Sequence, residues 1–136
     1  MKLIAVGNLK ETYLRNMQEK FIKNIPDFTL TELKAEPVKD NVLKALDIEA
    51  ERILKKIYPN EYVVLCDLAG KKVTEDLIKR DLKFENVTFV IGSSYGLSEK
   101  VKRRADVRYN FSNMTFPHQL FRMVLLEILS NIALER

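Results

Sequence analysis

The sequence has few of the residues that bind metals or form disulfides. Its 136 residues include one cysteine, one histidine, four glycines and no tryptophan. The single cysteine, Cys66, excludes an internal disulfide, and a single histidine argues against a histidine-based zinc site. No apolar run approaches the length that crosses a bilayer, and the apolar start of the chain is too short for a signal peptide. We therefore expect no bound metal, no membrane partner and a cytoplasmic location.

The composition is that of one folded domain. Hydrophobic residues make up 46% of the chain and charged residues 31%, which supplies both a core and a solvated surface. There are no internal repeats, low-complexity tracts or long linkers, so we predict a single domain over residues 1–136. The formal net charge of +4 favours an anionic partner such as RNA, although many ordinary proteins are equally basic.

Strand and helix patterns alternate along the whole chain. Five segments are predicted as strands: 3–6, 28–33, 62–66, 87–91 and 106–111. Between them, apolar residues recur at steps of three and four, as in the helix stripe from Leu43 to Ile57. Thr74 and Ser98 are predicted to cap the helices that follow them. This order predicts an α/β fold, with a mainly parallel sheet and helices on both faces.

The last helix, predicted over residues 120–134, is apolar around most of its circumference. Two neighbouring rows supply this surface: Leu120, Val124, Ile128 and Ile132, and Phe121, Leu125, Leu129 and Ala133. A helix of this kind must be covered on more than one side. In a small single-sheet protein a second subunit is a natural cover, so we predict a homodimer.

Three loops follow predicted strands, at residues 66–70, 92–96 and 112–117. In a parallel sheet the carboxyl ends of the strands share one edge, and ligands bind there. The glycines in these loops allow close approach to a ligand, or they only form turns; spacing alone leaves both readings open. His118 is either a general base or, the reading we favour, a residue that starts the last helix and satisfies a nearby backbone group. Cys66 lies in an apolar strand and is expected to be a small buried residue rather than a nucleophile.

A basic cluster lies in the short helix after the fourth strand. Its members are Lys100, Lys102, Arg103 and Arg104. They either contact RNA phosphates or form a solvated helix face, and the sequence alone favours neither reading. We expect no DNA partner.

Three blocks of the sequence, in order, resemble the RlmH-type SPOUT methyltransferases. The first is Leu3-Ile4-Ala5-Val6-Gly7, and the second is Phe89-Val90-Ile91-Gly92-Ser93-Ser94-Tyr95-Gly96-Leu97. The third and most specific is Phe111-Ser112-Asn113-Met114-Thr115-Phe116-Pro117-His118-Gln119, followed by Arg122, Val124, Leu125 and Glu127. The resemblance covers nearly the whole chain.

The resemblance implies a function, a cofactor and a partner. The family methylates a pseudouridine of 23S ribosomal RNA at N3, on the assembled ribosome, with S-adenosylmethionine as methyl donor. The resemblance also implies a homodimer and a C-terminal trefoil knot. Such a knot is an exception to the rule that protein chains do not thread through their own loops. Carried over by position, the cofactor-binding residues are Cys66, Gly92, Phe111, Ser112, Asn113, Met114, Thr115 and Phe116. No catalytic residue is assigned.

The sequence departs from the family pattern in three places. Ser93 stands where a second glycine is usual, and would crowd the cofactor loop if that position needs a positive φ. Asn113 replaces the usual lysine, and the family's C-terminal tail does not follow Arg136. These departures support an alternative: a dimeric RNA- or ribosome-binding relative that keeps the fold without turnover. An unknotted nucleotide-binding domain is a third possibility, but it would need a glycine-rich loop after the first strand, where only Gly7 is present.

Overall fold

The computed structural model describes residues 1–114 and 116–135, and within them five strands alternate with five helices. In chain order these are β1 (Lys2–Val6), α1 (Thr12–Ile22), β2 (Thr29–Leu33), α2 (Val42–Leu54), β3 (Tyr62–Lys72), α3 (Glu75–Asp81), β4 (Val87–Ile91), α4 (Glu99–Arg104), β5 (Val107–Asn110) and α5 (His118–Leu134). Two predicted helix caps are confirmed. Thr74 Oγ1 accepts a hydrogen bond from the Leu77 amide, and Ser98 Oγ accepts one from the Lys100 amide.

The five strands form one parallel sheet in the order β2-β1-β4-β3-β5. β4 lies in the centre, between β1 and β3, and all five of its residues are buried. This explains why its sequence is a continuous apolar run. β2 and β5 lie at the two edges of the sheet. All five carboxyl ends point to the same edge of the sheet, which is the edge that binds ligands in folds of this kind.

Alternate residues of the strands build two separate core clusters. Leu3 and Phe89 belong to a cluster that includes side chains of α1, α3 and α5. Ile4 and Val90 belong to a second cluster, with side chains of α2 and α4. Because successive strand residues point to opposite faces, this division places helices on both faces of the sheet. The prediction of a mainly parallel α/β fold is confirmed.

The third strand differs from its prediction. It runs from Tyr62 to Lys72, whereas the sequence predicted a strand at 62–66 and then a turn. Both Cys66 and Lys71 pair with Tyr109 of β5, so the residues between them form a bulge inside the strand. A Cβ atom on Gly70 would lie 2.6 Å from the backbone carbonyl of Arg108. The strand therefore resumes after the bulge because glycine allows this close pairing with β5.

The helix stripe of α2 was predicted correctly in general but wrongly at Leu43. In α2, Ala50 and Ile53 are buried, but Leu43 in the first turn is 72% exposed. In α5, Leu120 is 40% exposed, while Met123, outside the two predicted rows, is buried. Periodicity gives the direction of an apolar face, but the packing partners decide which turns of the helix are covered.

Candidate functional site

A cavity of about 530 Å³ opens at the carboxyl edge of the sheet. Its walls come from the β3 bulge, from the loop after β4, from the loop after β5 and from the start of α5. The volume falls within the range of pockets that hold drug-sized ligands. The three loops that sequence analysis singled out as strand-end loops therefore meet around one space.

Most of the predicted cofactor-binding residues lie in the walls of this cavity. The lining includes Cys66, Gly92, Phe111, Ser112, Met114 and Phe116. Asn113 is exposed and does not line it; its Oδ1 accepts a hydrogen bond from Asn110 Nδ2 at 2.8 Å. Thr115 lies outside the described residues. The edge of the Phe111 ring packs against Phe121 of α5, with the ring centroids 5.5 Å apart, and this contact holds the start of the loop against the helix.

A tight turn after β4 forms one wall of the cavity. The Gly96 amide donates to the Ser93 carbonyl at 2.9 Å, and Gly96 has φ +97°. A Cβ atom on Gly92 would lie 2.4 Å from the Gly96 carbonyl oxygen and 2.6 Å from Leu97 Cγ. Glycine at position 92 is therefore required for the turn to fold back onto the end of β4.

Ser93 fits this turn without backbone strain. Among the described non-glycine residues only Asp27 has a positive φ, so Ser93 does not need the conformation that would favour glycine. Its hydroxyl is buried, and no hydrogen-bond partner is found for it within residues 1–114 and 116–135. A buried hydroxyl on a cavity wall without a partner is available to a bound ligand.

Replacing Ser93 with alanine is therefore expected not to destabilise the ligand-free protein. We expect the free energy of unfolding to stay constant or to rise by up to about 1 kcal/mol, because an unsatisfied buried hydroxyl is removed. Ser130→Ala is a matched control, since the buried Ser130 hydroxyl accepts from Asn24 Nδ2 at 2.9 Å. That variant is expected to lose about 1 kcal/mol in urea unfolding. Equal losses for both serines would show that Ser93 also has a partner.

Cys66 contributes an uncharged wall to the cavity. Burial raises the pKa of the Cys66 thiol well above its usual range, and the neighbouring Asp67 carboxylate raises it further. The thiolate, which is the nucleophilic form, is therefore disfavoured. The raised pKa agrees with the prediction that Cys66 is not a nucleophile, although the residue is partly rather than fully buried.

His118 is the first residue of α5 and lines the cavity. Burial lowers the pKa of His118 below its usual value, a backbone hydrogen bond with Val6 opposes this, and the Arg122 charge adds to the lowering. The uncharged imidazole is therefore favoured more strongly than in a free histidine. Its position at the helix start and its contact with the Val6 backbone match the structural reading that the sequence favoured.

The lowered pKa of His118 predicts that the stability of the protein depends on pH. Because the pKa of His118 is lower in the folded protein than in the unfolded chain, the unfolded chain binds this proton more readily. The contribution to stability is complete above about pH 6.5 and is lost as the pH falls from there toward the folded pKa. We expect urea unfolding between pH 5 and 8 to show this loss, and His118→Gln to lack it. Identical pH profiles for the two proteins would contradict the prediction.

A buried arginine fixes α5 behind the cavity. The Arg122 side chain is 4% exposed and donates to the Glu32 carboxylate at 2.6 Å and to the Gly7 carbonyl at 3.0 Å. It also donates to Gln18 Oε1 of α1 at 3.2 Å. One guanidinium thus joins α5 to the ends of β1 and β2. No role was predicted for Arg122 from the sequence, although a lone arginine within an apolar helix is a signal for a buried ion pair.

A second buried network lies beneath the cavity and was not predicted. The Tyr109 hydroxyl donates to Asp81 Oδ2, and the Tyr62 hydroxyl donates to Oδ1 at 3.3 Å. Burial, and then the hydrogen bond to Asp81, raises the pKa of Tyr109. Because Tyr109 also lines the cavity, this network ties the end of α3 to the cavity floor. Tyr109 and Asp81 are far apart in the sequence, and no local pattern predicted this contact.

The four cations of α4 have different surroundings. Lys100 and Arg103 are exposed, whereas Lys102 lines the cavity. Arg104 faces inward and donates to the carbonyls of Tyr58 at 3.1 Å and Glu61 at 3.0 Å. The four cations were predicted as one cluster, but two are exposed to solvent, one lines the cavity and one binds backbone carbonyls.

The sheet and the cavity define an α/β protein with a candidate ligand site at the carboxyl edge of a parallel sheet. Comparison with known proteins identifies the family. A family model described as "Predicted SPOUT methyltransferase" matches residues 1–130. The chain belongs to the SPOUT methyltransferase family, as the three sequence blocks predicted.

Similar proteins carry a common name. The chain is 39% identical over 137 residues to the ribosomal RNA large subunit methyltransferase H of Caldicellulosiruptor bescii, an alignment that covers 93% of the chain and 89% of that protein. The protein of the same name from Streptococcus thermophilus is 39% identical over 141 residues, again with 93% and 89% coverage. In Desulfitobacterium hafniense the identity is 38%, with 93% and 88% coverage.

A solved structure has the same fold at much lower identity. The crystal structure of the tRNA (m1G37) methyltransferase from Aquifex aeolicus superposes with a TM-score of 0.60 at 12% identity, covering 97% of this chain and 69% of that chain. At this identity the comparison supports the fold and not the substrate. Among the described residues, no helix is both long and apolar enough to cross a membrane.

Proposed function

We propose that this chain transfers a methyl group from S-adenosylmethionine to N3 of a pseudouridine in 23S ribosomal RNA, on the assembled ribosome. The observation that carries the proposal is the cavity at the carboxyl edge of the sheet, built from the two loops that carry the most specific family motifs. The chain belongs to a methyltransferase family, and the relatives described above are named for the large ribosomal subunit. We expect this activity to reside in a single domain with a knotted C-terminal part.

The residues around the cavity suit this methyl donor. Apolar side chains such as Phe111 and Leu68 offer surface for an adenosine group, and the Gly92 turn leaves backbone groups close to the space. The buried Ser93 hydroxyl has hydrogen-bonding capacity to spare within the described structure. We assign cofactor contacts to Cys66, Gly92, Phe111, Ser112, Met114 and Phe116. For Asn113, which is exposed, and Thr115, outside the described residues, the contact stays a prediction.

When bound, S-adenosylmethionine supplies an electrophilic methyl group on a positively charged sulfur. The chain's own contribution is to hold the acceptor nitrogen in line with that group and to exclude water from the cavity. The acceptor nitrogen carries a proton that must be lost around transfer. The uncharged form of His118, which burial favours, adds no positive charge to the wall that would repel the sulfonium.

We propose that the exposed side chains of Lys100 and Arg103 contact RNA phosphates. The net charge of +4 supports an anionic partner, and both side chains are accessible on α4. Arg104 is already engaged by backbone carbonyls and is a weaker candidate. Because the substrate is the ribosome, we place the protein in the cytoplasm.

We also propose that two chains pair through the outer face of α5. Leu120 is 40% and Leu134 64% exposed, and both lie on the helix that the sequence predicted to be covered by a second subunit. Light scattering coupled to size-exclusion chromatography would show twice the 15.9 kDa chain mass if the protein is a dimer. A monomer at working concentration would contradict this proposal.

The activity is tested by methyl transfer to ribosomes that lack the modification. The purified chain is mixed with these ribosomes and isotopically labelled S-adenosylmethionine, and the labelled nucleotide is identified by mass spectrometry. The proposal predicts one labelled pseudouridine in 23S ribosomal RNA, with no label on free RNA. Ribosome binding without transfer would instead support the alternative of a relative that has lost turnover. Labelling of another nucleotide would overturn the assigned substrate.

A further inference from the structure

Lys102 is the only lysine or arginine among the described residues that line the cavity. It follows Val101, which is fully buried against the sheet, so the short helix α4 holds the lysine stem close to the loop after β4. The Lys102 side chain is 23% exposed, which is far less than expected for a solvated lysine. Lys102 therefore forms part of the cavity wall, in contrast to the exposed Lys100 and Arg103 of the same helix.

The ion pair that Lys102 forms within the chain is weak. Lys102 Nζ lies 3.6 Å from a Glu99 carboxylate oxygen, and the Glu99 side chain is 76% exposed. Ion pairs with so exposed a partner stabilise a protein by little and are easily exchanged. The other charged wall residue, Asp67, is already engaged: its carboxylate accepts from the Ala69 amide at 3.0 Å and lies 3.5 Å from an Arg108 guanidinium nitrogen. Lys102 is therefore free to bind an anionic group of a ligand.

The proposed methyl donor has three charged groups, and only one is negative. Its sulfonium and its ammonium would be repelled by Lys102, whereas its carboxylate would be attracted. We propose that Lys102 Nζ binds the carboxylate of S-adenosylmethionine and so fixes which end of the cavity takes the amino-acid part. The inference rests on the proposed function and adds a residue that no family motif assigned. The spare hydroxyl of Ser93 in the same cavity supports a polar ligand group there.

The test compares two ligands that differ at the carboxylate. Isothermal titration measures S-adenosylmethionine and its decarboxylated analogue, which keeps the sulfonium and the amine, against the wild-type chain and Lys102→Met. We expect Lys102→Met to weaken S-adenosylmethionine binding roughly fivefold to tenfold, and not to weaken binding of the analogue, which keeps only the two groups that the lysine repels. Lys102→Arg keeps the charge and is expected to retain most of the preference for the carboxylate.

Lys100→Met is the matched control, because Lys100 lies on the same helix, is exposed and does not line the cavity. It is expected to leave both affinities unchanged. Equal weakening of both ligands by Lys102→Met would assign the lysine to packing and overturn the inference. Unchanged S-adenosylmethionine binding together with a raised KM for ribosomes would also overturn it, in favour of an RNA phosphate. If the wild-type chain binds neither ligand, the proposed function itself fails, which is a different result from loss of the carboxylate preference alone.

Discussion

Replacing Gly92 with alanine is expected to weaken S-adenosylmethionine binding at least tenfold and to lower the thermal unfolding midpoint. The added methyl group would lie 2.4 Å from the Gly96 carbonyl oxygen, which is a backbone atom and cannot rotate away. The turn after β4 must then shift, and overpacking of this kind costs about 1–3 kcal/mol. Because that turn is a wall of the cavity, the shift also changes the binding surface. Isothermal titration and thermal unfolding measure the two effects.

Gly96→Ala separates steric conflict from backbone strain in this test. A Cβ atom on Gly96 would meet no atom within 4 Å, but its φ of +97° is unfavourable for alanine. We expect a stability loss of about 1–2 kcal/mol from strain. The affinity of the folded fraction should change less than for Gly92→Ala. Wild-type affinity in Gly92→Ala would show that the turn is not part of the cofactor site.

Replacing Arg122 with methionine is expected to destabilise the protein by about 3 kcal/mol. Methionine preserves much of the side-chain volume but removes hydrogen bonds to Glu32, Gly7 and Gln18. The Glu32 side chain is 33% exposed, so water can partly solvate the carboxylate that is left behind. A loss of this size is a large part of the total stability of a typical domain, about 5–15 kcal/mol. Urea unfolding measures it directly.

Arg108→Met is the matched control for this prediction. The Arg108 side chain is 44% exposed and lies 3.5 Å from the Asp67 carboxylate, which is 11% exposed and keeps its hydrogen bond from the Ala69 amide when Arg108 is removed. We expect its loss to cost less than about 1 kcal/mol. A similar effect of the two substitutions would contradict the role of Arg122 as a buried anchor. A second consequence is specific to Arg122: its loss removes a nearby positive charge that lowers the pKa of His118, so this pKa should rise.

Local signals in the sequence predicted much of the secondary structure and part of the site. The apolar run at residues 87–91 predicted a strand, and the structure shows it buried on both faces because it lies in the centre of a parallel sheet. Thr74 and Ser98 predicted helix starts, because a side-chain oxygen can satisfy an amide two or three residues ahead. Gly92 was predicted as a site residue through a family motif; it lies in the cavity wall, and the close approach of the Gly96 carbonyl gives a steric reason for glycine at this position.

Contacts between distant segments could not be predicted in this way. The β3 bulge depends on pairing with β5, which lies some forty residues further along the chain. The Arg104 side chain is held by hydrogen bonds to the carbonyls of Tyr58 and Glu61. No local pattern in the sequence distinguishes Arg104 from the exposed Arg103. The exposure of Leu43 likewise depends on which elements cover the first turn of α2.

By itself the sequence determined the alternation of strands and helices, the parallel sheet and the family, because these depend on periodicity and on contiguous motifs. The tertiary structure alone decided that three strand-end loops enclose one cavity. It also decided that Arg122 is a buried anchor and that, of four neighbouring cations, Lys102 lines the cavity. The physical reason is that the burial and partners of a charged side chain depend on packing between residues that are distant in sequence.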